Sequence, residues 1–503
     1  MPADNVIQPG EAPSSGPPPG EPPSSGPPPG EAPPSGPPPG EGPPAETPPD
    51  EASSGGAQQV RARRTSLARH ADFNKLWLGQ AVSDIGNEIT KLALPLTAVL
   101  YLNATATQVG LMTSATQLAF LGPMLFFGVL VDRMRKRPLM IGADLGRAAV
   151  LALVPILSWT GSLSMPVLYT VALVHGCLTV LFELGYRSYL PSLVSAEDLL
   201  AGNSRLQSTE SISQVGGPGL GGALVQLLRA PFALLADAGT FMFSVVSLIS
   251  IRAVEPAPQR PLDQTGTTGL AAVVTEIGSG LRFIYRHPVL RSLAGGGATL
   301  NFFSQLQLTL FVVYAARDMH MTGGAIGLVF AGFGIGGVLA ATTLGRALRW
   351  LGYGHLLLAS YGLGAIALVG IPFVPGPATL STALFVCLYV LAGTGIVALN
   401  IVSMTLRQVA TPSYLQARVN ASFKFALSAL TPVSAAIAGV LGDALGLRGT
   451  LFIMAIGMPL TPLWIVFSPV RKVRTLQQLL SLQSVPAAES AGATRGGGQA
   501  ATG

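Results

Sequence analysis

Residues 109–131 read VGLMTSATQLAFLGPMLFFGVLV, residues 132–138 read DRMRKRP, and residues 139–159 read LMIGADLGRAAVLALVPILSW. An apolar run, a tight basic loop and a second apolar run follow one another without a break. A bilayer core about 30 Å thick needs about 20 apolar residues per helical crossing, so each run is long enough to cross. Outward from this triplet the alternation continues. The segments are 76–102, 109–131, 139–159, 167–186, 204–228 and 232–251, then 291–315, 323–348, 355–374, 380–403, 421–445 and 449–467. Mean hydropathy is +0.50 and 11% of the 503 residues are charged, against about 25% in soluble chains. The expectation is an all-α polytopic membrane protein with twelve transmembrane helices.

Charge sets the orientation. Arg61, Arg63, Arg64, Arg69 and Lys75 precede the first segment. Arg133, Arg135, Lys136 and Arg137, then Arg187 and Arg205, then Arg252, Arg260, Arg282 and Arg286 occupy alternate connections, as do Arg346 and Arg349, Arg407 and Arg418, and Arg471, Lys472 and Arg474. The opposite connections hold Arg229, Arg317 and Arg448. Cations flanking spans stay cytoplasmic, which places both termini there and the protein in the cell (plasma or inner) membrane, with the lipid bilayer as its first partner. The net charge of +6 follows from these loops and calls for no nucleic acid. Cys177 and Cys387 fall inside segments and read as packing residues rather than a disulfide.

Residues 1–70 are a separate object. The decapeptide from Gly20 to Pro29, GEPPSSGPPP, recurs with small changes from Gly10 and Gly30. Proline opposes helix, and too few apolar residues are present to form a core, so a disordered tail with polyproline II character is expected. It serves either as a solvated appendage or as a ligand for a partner domain, and it lacks the basic start and apolar stretch of a signal peptide. Residues 71–252 form one six-helix bundle and residues 291–470 a second. Between them, 253–290 reads as a Pro/Gly/Thr-rich cytoplasmic linker, and 471–503 as a second tail. The halves echo one another: a loop from Arg187 leads to Asn203 at the head of the fifth segment, and one from Arg407 leads to Asn420 at the head of the eleventh. Repeated bundles with a site between them are a transporter plan.

The first segment carries the strongest chemical signal. Asp84, Asn87, Glu88 and Lys91 stand at i, i+3, i+4 and i+7, on one helical stripe. Three charges facing lipid would cost about 9 kcal/mol on insertion scales, so the stripe faces protein or water. Glu88 can pair with Lys91 and repel Asp84. Glu88 is the first candidate for a proton carrier and Asp84 the second; a purely structural ion pair is the alternative. Asn301, Ser304 and Gln305 in the seventh segment are placed to line a cavity opposite. Glu183 and Glu210 can pair with Arg187 or Arg205, Asp144 with Arg147, and His175 reads as a hydrogen-bonded helix residue. Gly217 and Gly221 lie four apart on one face and admit a close backbone, while Pro218 bends the helix; together they read as a pliable contact between the halves. Asp132 suits a latch against the opposite half, with Arg133 beside it. Nothing points to an enzyme, a cofactor or a metal: there is no G-x-x-x-x-G-K-[ST] loop and few Cys or His.

Two of these stretches carry a family likeness. Gly128 to Arg137 resembles the signature loop of the major facilitator superfamily, G-x-x-x-D-R-x-G-R-K, with Arg135 where the family has glycine. Gly217-Pro218-Gly219-Leu220-Gly221-Gly222 is similar to the G-P-x-x-G-G core of its antiporter motif, with Ser213 in place of an expected glycine. The runs 73–80, 93–96, 188–194, 201–206 and 235–238 resemble the efflux branch that includes macrolide and siderophore (enterobactin-type) exporters. The likeness covers 71–470. It implies a 6+6 fold, export of a small amphiphilic molecule such as a drug, siderophore or secondary metabolite, and drive by an ion gradient, protons first. The arginine that many proton-coupled exporters carry in the fourth segment is not apparent. An uptake permease and a non-transporting receptor or scaffold are the alternative functions.

Overall fold

The computed structural model describes residues 70–121, 127, 130–131, 133–195, 198–253, 255, 270–375, 378–412, 415–475 and 477–478. The Pro-rich tail before His70, Asp132 and most of the C-terminal tail lie outside the described residues. Every regular element among the described residues is helical.

The first six apolar segments coincide with α1 (Ala71–Leu96, continued by a π turn Thr97–Tyr101), α2 (Ala106–Leu121), α3 (Lys136–Trp159), α4 (Met165–Tyr189), α5 (Leu199–Leu228) and α6 (Ala230–Ser250). The segment read as a linker contains a helix, α7 (Leu270–Arg286). The Pro/Gly run before it suggested irregular chain, but Ile277, Leu281 and Ile284 follow at helical spacing. Ile284 is buried, and the Ile277 carbonyl accepts from Ser422 at 3.0 Å. The later segments fall on α8 (Pro288–Arg317), α9 (Gly323–Val369), α10 (Ala378–Ala410), α11 (Gln416–Ser428), α12 (Thr431–Leu445), α13 (Leu447–Gly457) and α14 (Leu460–Val466). Helix α9 holds two predicted segments and turns sharply at Gly352, whose φ of 69° favours glycine. The eleventh and twelfth segments are each split into two helices, near Pro432 and Pro459, where proline removes a ladder hydrogen bond.

Eight helical stretches among the described residues are long and apolar enough to cross a bilayer; one, Gly323–Phe373, contains the Gly352 bend. Helices α1, α2 and α5 are not among them. Helix α1 carries the charged stripe, α5 begins with a polar run from Asn203 to Gln214, and α2 is described over 16 residues.

Helix packing falls into two sets. Helix α6 packs on α1 and α3, α5 on α1, and α4 on α2 and α3; α12 and α14 each pack on α8, and α9 packs on α10. The main contacts between the sets are α5 with α9 and α2 with α12. These two contacts repeat one geometry at one sequence offset, 439 minus 222 and 327 minus 110 both being 217. A methyl group on Gly222 would sit 2.8 Å from the Cα of Gly327, and one on Gly110 would sit 2.9 Å from the Cα of Gly439. The same offset relates the N-caps Thr105 and Thr322, and the abrupt turns at Arg229 (φ 69°, ψ 152°) and Gly446 (φ 77°, ψ 156°). It also relates Asn203 to Asn420, the pair that the sequence repeat identifies.

Candidate functional site

A cavity of about 1110 Å³ lies between the two helix sets. Along α1 it runs from Gln80 to Pro95, about 22 Å at 1.5 Å per residue. Asp84, Asn87, Glu88 and Lys91 all line it, as the stripe requires. The cavity reaches Arg187, Asn203 and Gln207 at the end that carries the basic connections. At the other end the glycine contacts of α5 with α9 and α2 with α12 bring backbones together. There Asp443 of α12 accepts from the N–H groups of Ala106 and Thr107, both at 2.9 Å. These N–H groups open α2 and have no partner within their own helix, so a carboxylate of one set caps a helix of the other. Gln226 stands at the matching offset, its side-chain oxygen against Gly324 at the start of α9.

The stripe divides electrostatically. Glu88 and Lys91 form an ion pair at 2.5 Å, with Glu88 13% exposed and Lys91 66% exposed. Asp84 instead accepts from the Gln80 amide at 2.7 Å. Glu210 of α5 lines the same cavity and accepts from the amides of Gln207 at 3.0 Å and Gln214 at 3.4 Å. Arg205, a possible partner for Glu210 on sequence, stacks 3.8 Å over the Trp77 ring and donates to Asn74. Glu183 does pair with Arg187. Gln305 of α8 faces the cavity and accepts from Gln117 of α2 at 3.1 Å, bridging the sets. Asn301 is not brought to the cavity wall: its amide donates to the Gly297 carbonyl one turn back, at 2.9 Å.

The span-five glycines Gly217 and Gly221 do not join the halves, contrary to the expectation from the sequence. Gly217 packs on Glu88 and Gly221 on Ile89, so this glycine face meets α1 within its own helix set. Contact with the other set falls to Pro218, whose carbonyl meets Gly327, and to Gly222. A helix face turns through 100° per residue, so neighbouring glycines serve different partners. The basic loop is also held within its own set. Arg133 is exposed. Arg137 donates to the carbonyls of Leu248 (2.9 Å) and Ile249 (2.7 Å) at the end of α6, while Glu255 accepts from the N–H groups of Lys136 and Arg137 at the start of α3. These are complementary helix-end contacts. Asp72 accepts from Lys75 (2.7 Å) and from the N–H groups of Arg252 (3.1 Å) and Ala253 (2.8 Å). Burial raises its pKa, but these donors outweigh it and hold the carboxyl below the usual range.

Arg147 reaches the cavity wall and forms a buried pair with Asp144 behind it, with the guanidinium between the rings of Phe182 (4.3 Å) and Phe241 (4.1 Å). Asp237 accepts from Thr90 (2.5 Å) and Thr240 (2.9 Å), tying α6 to α1. His175 tilts against Phe241 at 5.9 Å, and its Nε2 has no hydrogen-bond partner among the described residues. Sequence reasoning placed Glu210 only as an ion-pair partner. The polar run Gln207, Glu210 and Gln214 at i, i+3 and i+7 was the signal for a cavity-facing stripe. Asp443 left no such signal, because the helix it caps is 336 residues away.

The major facilitator superfamily model matches residues 76–435. The chain is 27% identical over 393 residues to the multidrug efflux pump Tap of Mycolicibacterium fortuitum, covering 76% of this chain and 92% of that protein. It is 26% identical over 385 residues to the enterobactin exporter EntS of Citrobacter koseri, covering 75% and 86%. Among solved structures it resembles a bacterial homologue of the iron transporter ferroportin in the inward-facing state, with a TM-score of 0.60, 17% identity and coverage of 78% of this chain and 98% of that one. It also resembles a bacterial homologue of the lysosomal transporter Spinster, inward-facing and unoccupied, with a TM-score of 0.56, 12% identity and coverage of 79% and 96%.

Proposed function

Because this chain belongs to the major facilitator superfamily, we propose that it is a secondary transporter that exports a small amphiphilic molecule by alternating access, driven by a proton gradient. The observation that carries the reading is the cavity: it reaches the exposed residues Arg187, Asn203 and Gln207 at the basic end, while two matched helix contacts and the Asp443 cap join the two sets at the other. This is the form expected of one state of a two-state gate between repeated bundles. On this reading residues 71–252 and 291–470 are the two six-helix halves; α1, α2 and α5 cross the membrane with the eight apolar stretches, and Gly323–Phe373 crosses twice around its Gly352 bend, giving twelve crossings. Both termini and the basic connections are cytoplasmic. The relatives' names, an efflux pump and a siderophore exporter, favour export over uptake. A scaffold has no use for charges lining a deep cavity, which are costly to place in a membrane.

Asp84 takes precedence over Glu88 as the proton carrier. Glu88 has its compensating ammonium at 2.5 Å, and protonating it would strand Lys91. Asp84 has an amide partner and no cation within ion-pair distance among the described residues. It gains and loses a proton without breaking an ion pair. Energised inverted vesicles test this, with a panel of drugs and siderophores and with or without a protonophore. Asp84→Asn should abolish gradient-driven accumulation while exchange continues, and Glu88→Gln should retain accumulation. No gradient-driven movement of any compound by the wild type would overturn the transport reading.

A further inference from the structure

Granted the transport reading, the charges around the cavity identify the kind of molecule it takes. Among the described residues four carboxylates and three cations line it. Lys91 answers Glu88, and Arg187 answers Glu183. Arg147 is engaged by Asp144 behind the wall. Every lining cation is therefore paired, and two carboxylates, Asp84 and Glu210, are left over. Their hydrogen-bond partners are the amides of Gln80, Gln207 and Gln214. The two lie within electrostatic reach of each other and of Tyr186. The α8 and α9 side of the cavity adds no charge; Leu308, Val312 and Phe330 make it largely apolar.

Orphan polar atoms stand on the same wall. Gln80 Oε1, Tyr186 Oη and His175 Nε2 belong to lining residues, are buried and have no hydrogen-bond partner among the described residues. His175 is 8% exposed. An unpartnered buried polar group is costly, and Gln80 Oε1 can only accept. An acidic solute would meet two carboxylates without an ion-pair partner and, among the described residues, no free cation. Tyr186 and Phe330 also line the cavity, and aromatic rings attract cations.

We propose that this cavity selects amphiphilic organic cations, and that Asp84 and Glu210 together recognise the positive charge while the α8–α9 wall takes the apolar body. Proton and substrate then contend for the same carboxylates, which couples their movements. The test uses two ions of one shape and opposite charge, tetraphenylphosphonium and tetraphenylborate, in equilibrium binding to the purified full chain. The phosphonium should bind at least about tenfold tighter than the borate. Asp84→Asn and Glu210→Gln should each weaken phosphonium binding about tenfold. Lys91→Gln frees the Glu88 carboxylate and should tighten phosphonium binding, a gain that misfolding cannot mimic. Equal or stronger borate binding would overturn the proposal, as would phosphonium binding indifferent to both carboxylate substitutions. Binding needs no gradient: if the charge preference holds in a protein that moves nothing in energised vesicles, the transport reading fails and this one stands.

Discussion

Asp443→Asn should loosen the closed end of the cavity. In the wild type each carboxylate oxygen accepts one N–H at 2.9 Å, from Ala106 and Thr107. The charge also faces the positive end of the α2 dipole. Asparagine keeps one acceptor oxygen and loses the charge, so one bond is lost and the other becomes neutral. A charge-assisted cap of this kind is worth about 1–2 kcal/mol, which is about 5- to 30-fold in the balance between closed and open. The assay is thiol labelling of Thr113→Cys, a cavity-lining position on α2, with Cys177 and Cys387 replaced by serine. An impermeant maleimide is added outside intact cells. Labelling follows the population open to that side, so Asp443→Asn should accelerate it about 5- to 30-fold. Gln226→Glu places a charge at the matching start of α9 and should slow labelling. An unchanged rate in Asp443→Asn, in protein that is expressed and folded, would refute the latch. So would the same direction of change in both variants.

Gly222→Leu should prevent closure of the same end, since even a methyl group there meets the Gly327 backbone at 2.8 Å; efflux should fall to background while Thr113→Cys labelling rises. Asp72→Asn should lower the melting temperature at pH 7. The Asp72 carboxyl is held below the usual range in the folded protein, so its stabilisation is complete above the unfolded value of about 3.9 and is lost as pH falls through the lower folded value. Wild type and variant should converge in acid below that point, and a gap unchanged from pH 7 down to full protonation would contradict the assignment. Deleting residues 1–56 should leave efflux at the wild-type rate, because Arg61, Arg63, Arg64 and Arg69 remain to set orientation; transport lost in an inserted protein would show that the tail takes part.

The helical class, the segment positions and the charged stripe are legible in the chain. These depend on properties that repeat along the chain: hydropathy over about 20 residues, cations in alternate connections, and the 100° helical step that lines up Asp84, Asn87, Glu88 and Lys91. The repeat was also visible, since Asn203 and Asn420 already stand at the 217-residue offset that the two glycine contacts share. Helix α7 was obscured because a Pro/Gly run dominates its neighbourhood, and its single buried face acquires meaning only against α11. What tertiary structure alone decided was partnership. Gly217 and Gly222 look alike in the chain, yet one packs on Glu88 in its own helix set and the other on Gly327 of the other set. Glu88 and Asp84 are equivalent carboxylates on one stripe until Lys91 is seen to pair with the first and only an amide with the second. Asp443 is an unremarkable carboxylate near a helix end until that end meets the start of α2. Periodicity is local and can be read from neighbours in sequence. Which charge is compensated, and which backbones meet, depends on residues hundreds of positions apart, which only the folded chain brings within hydrogen-bonding distance.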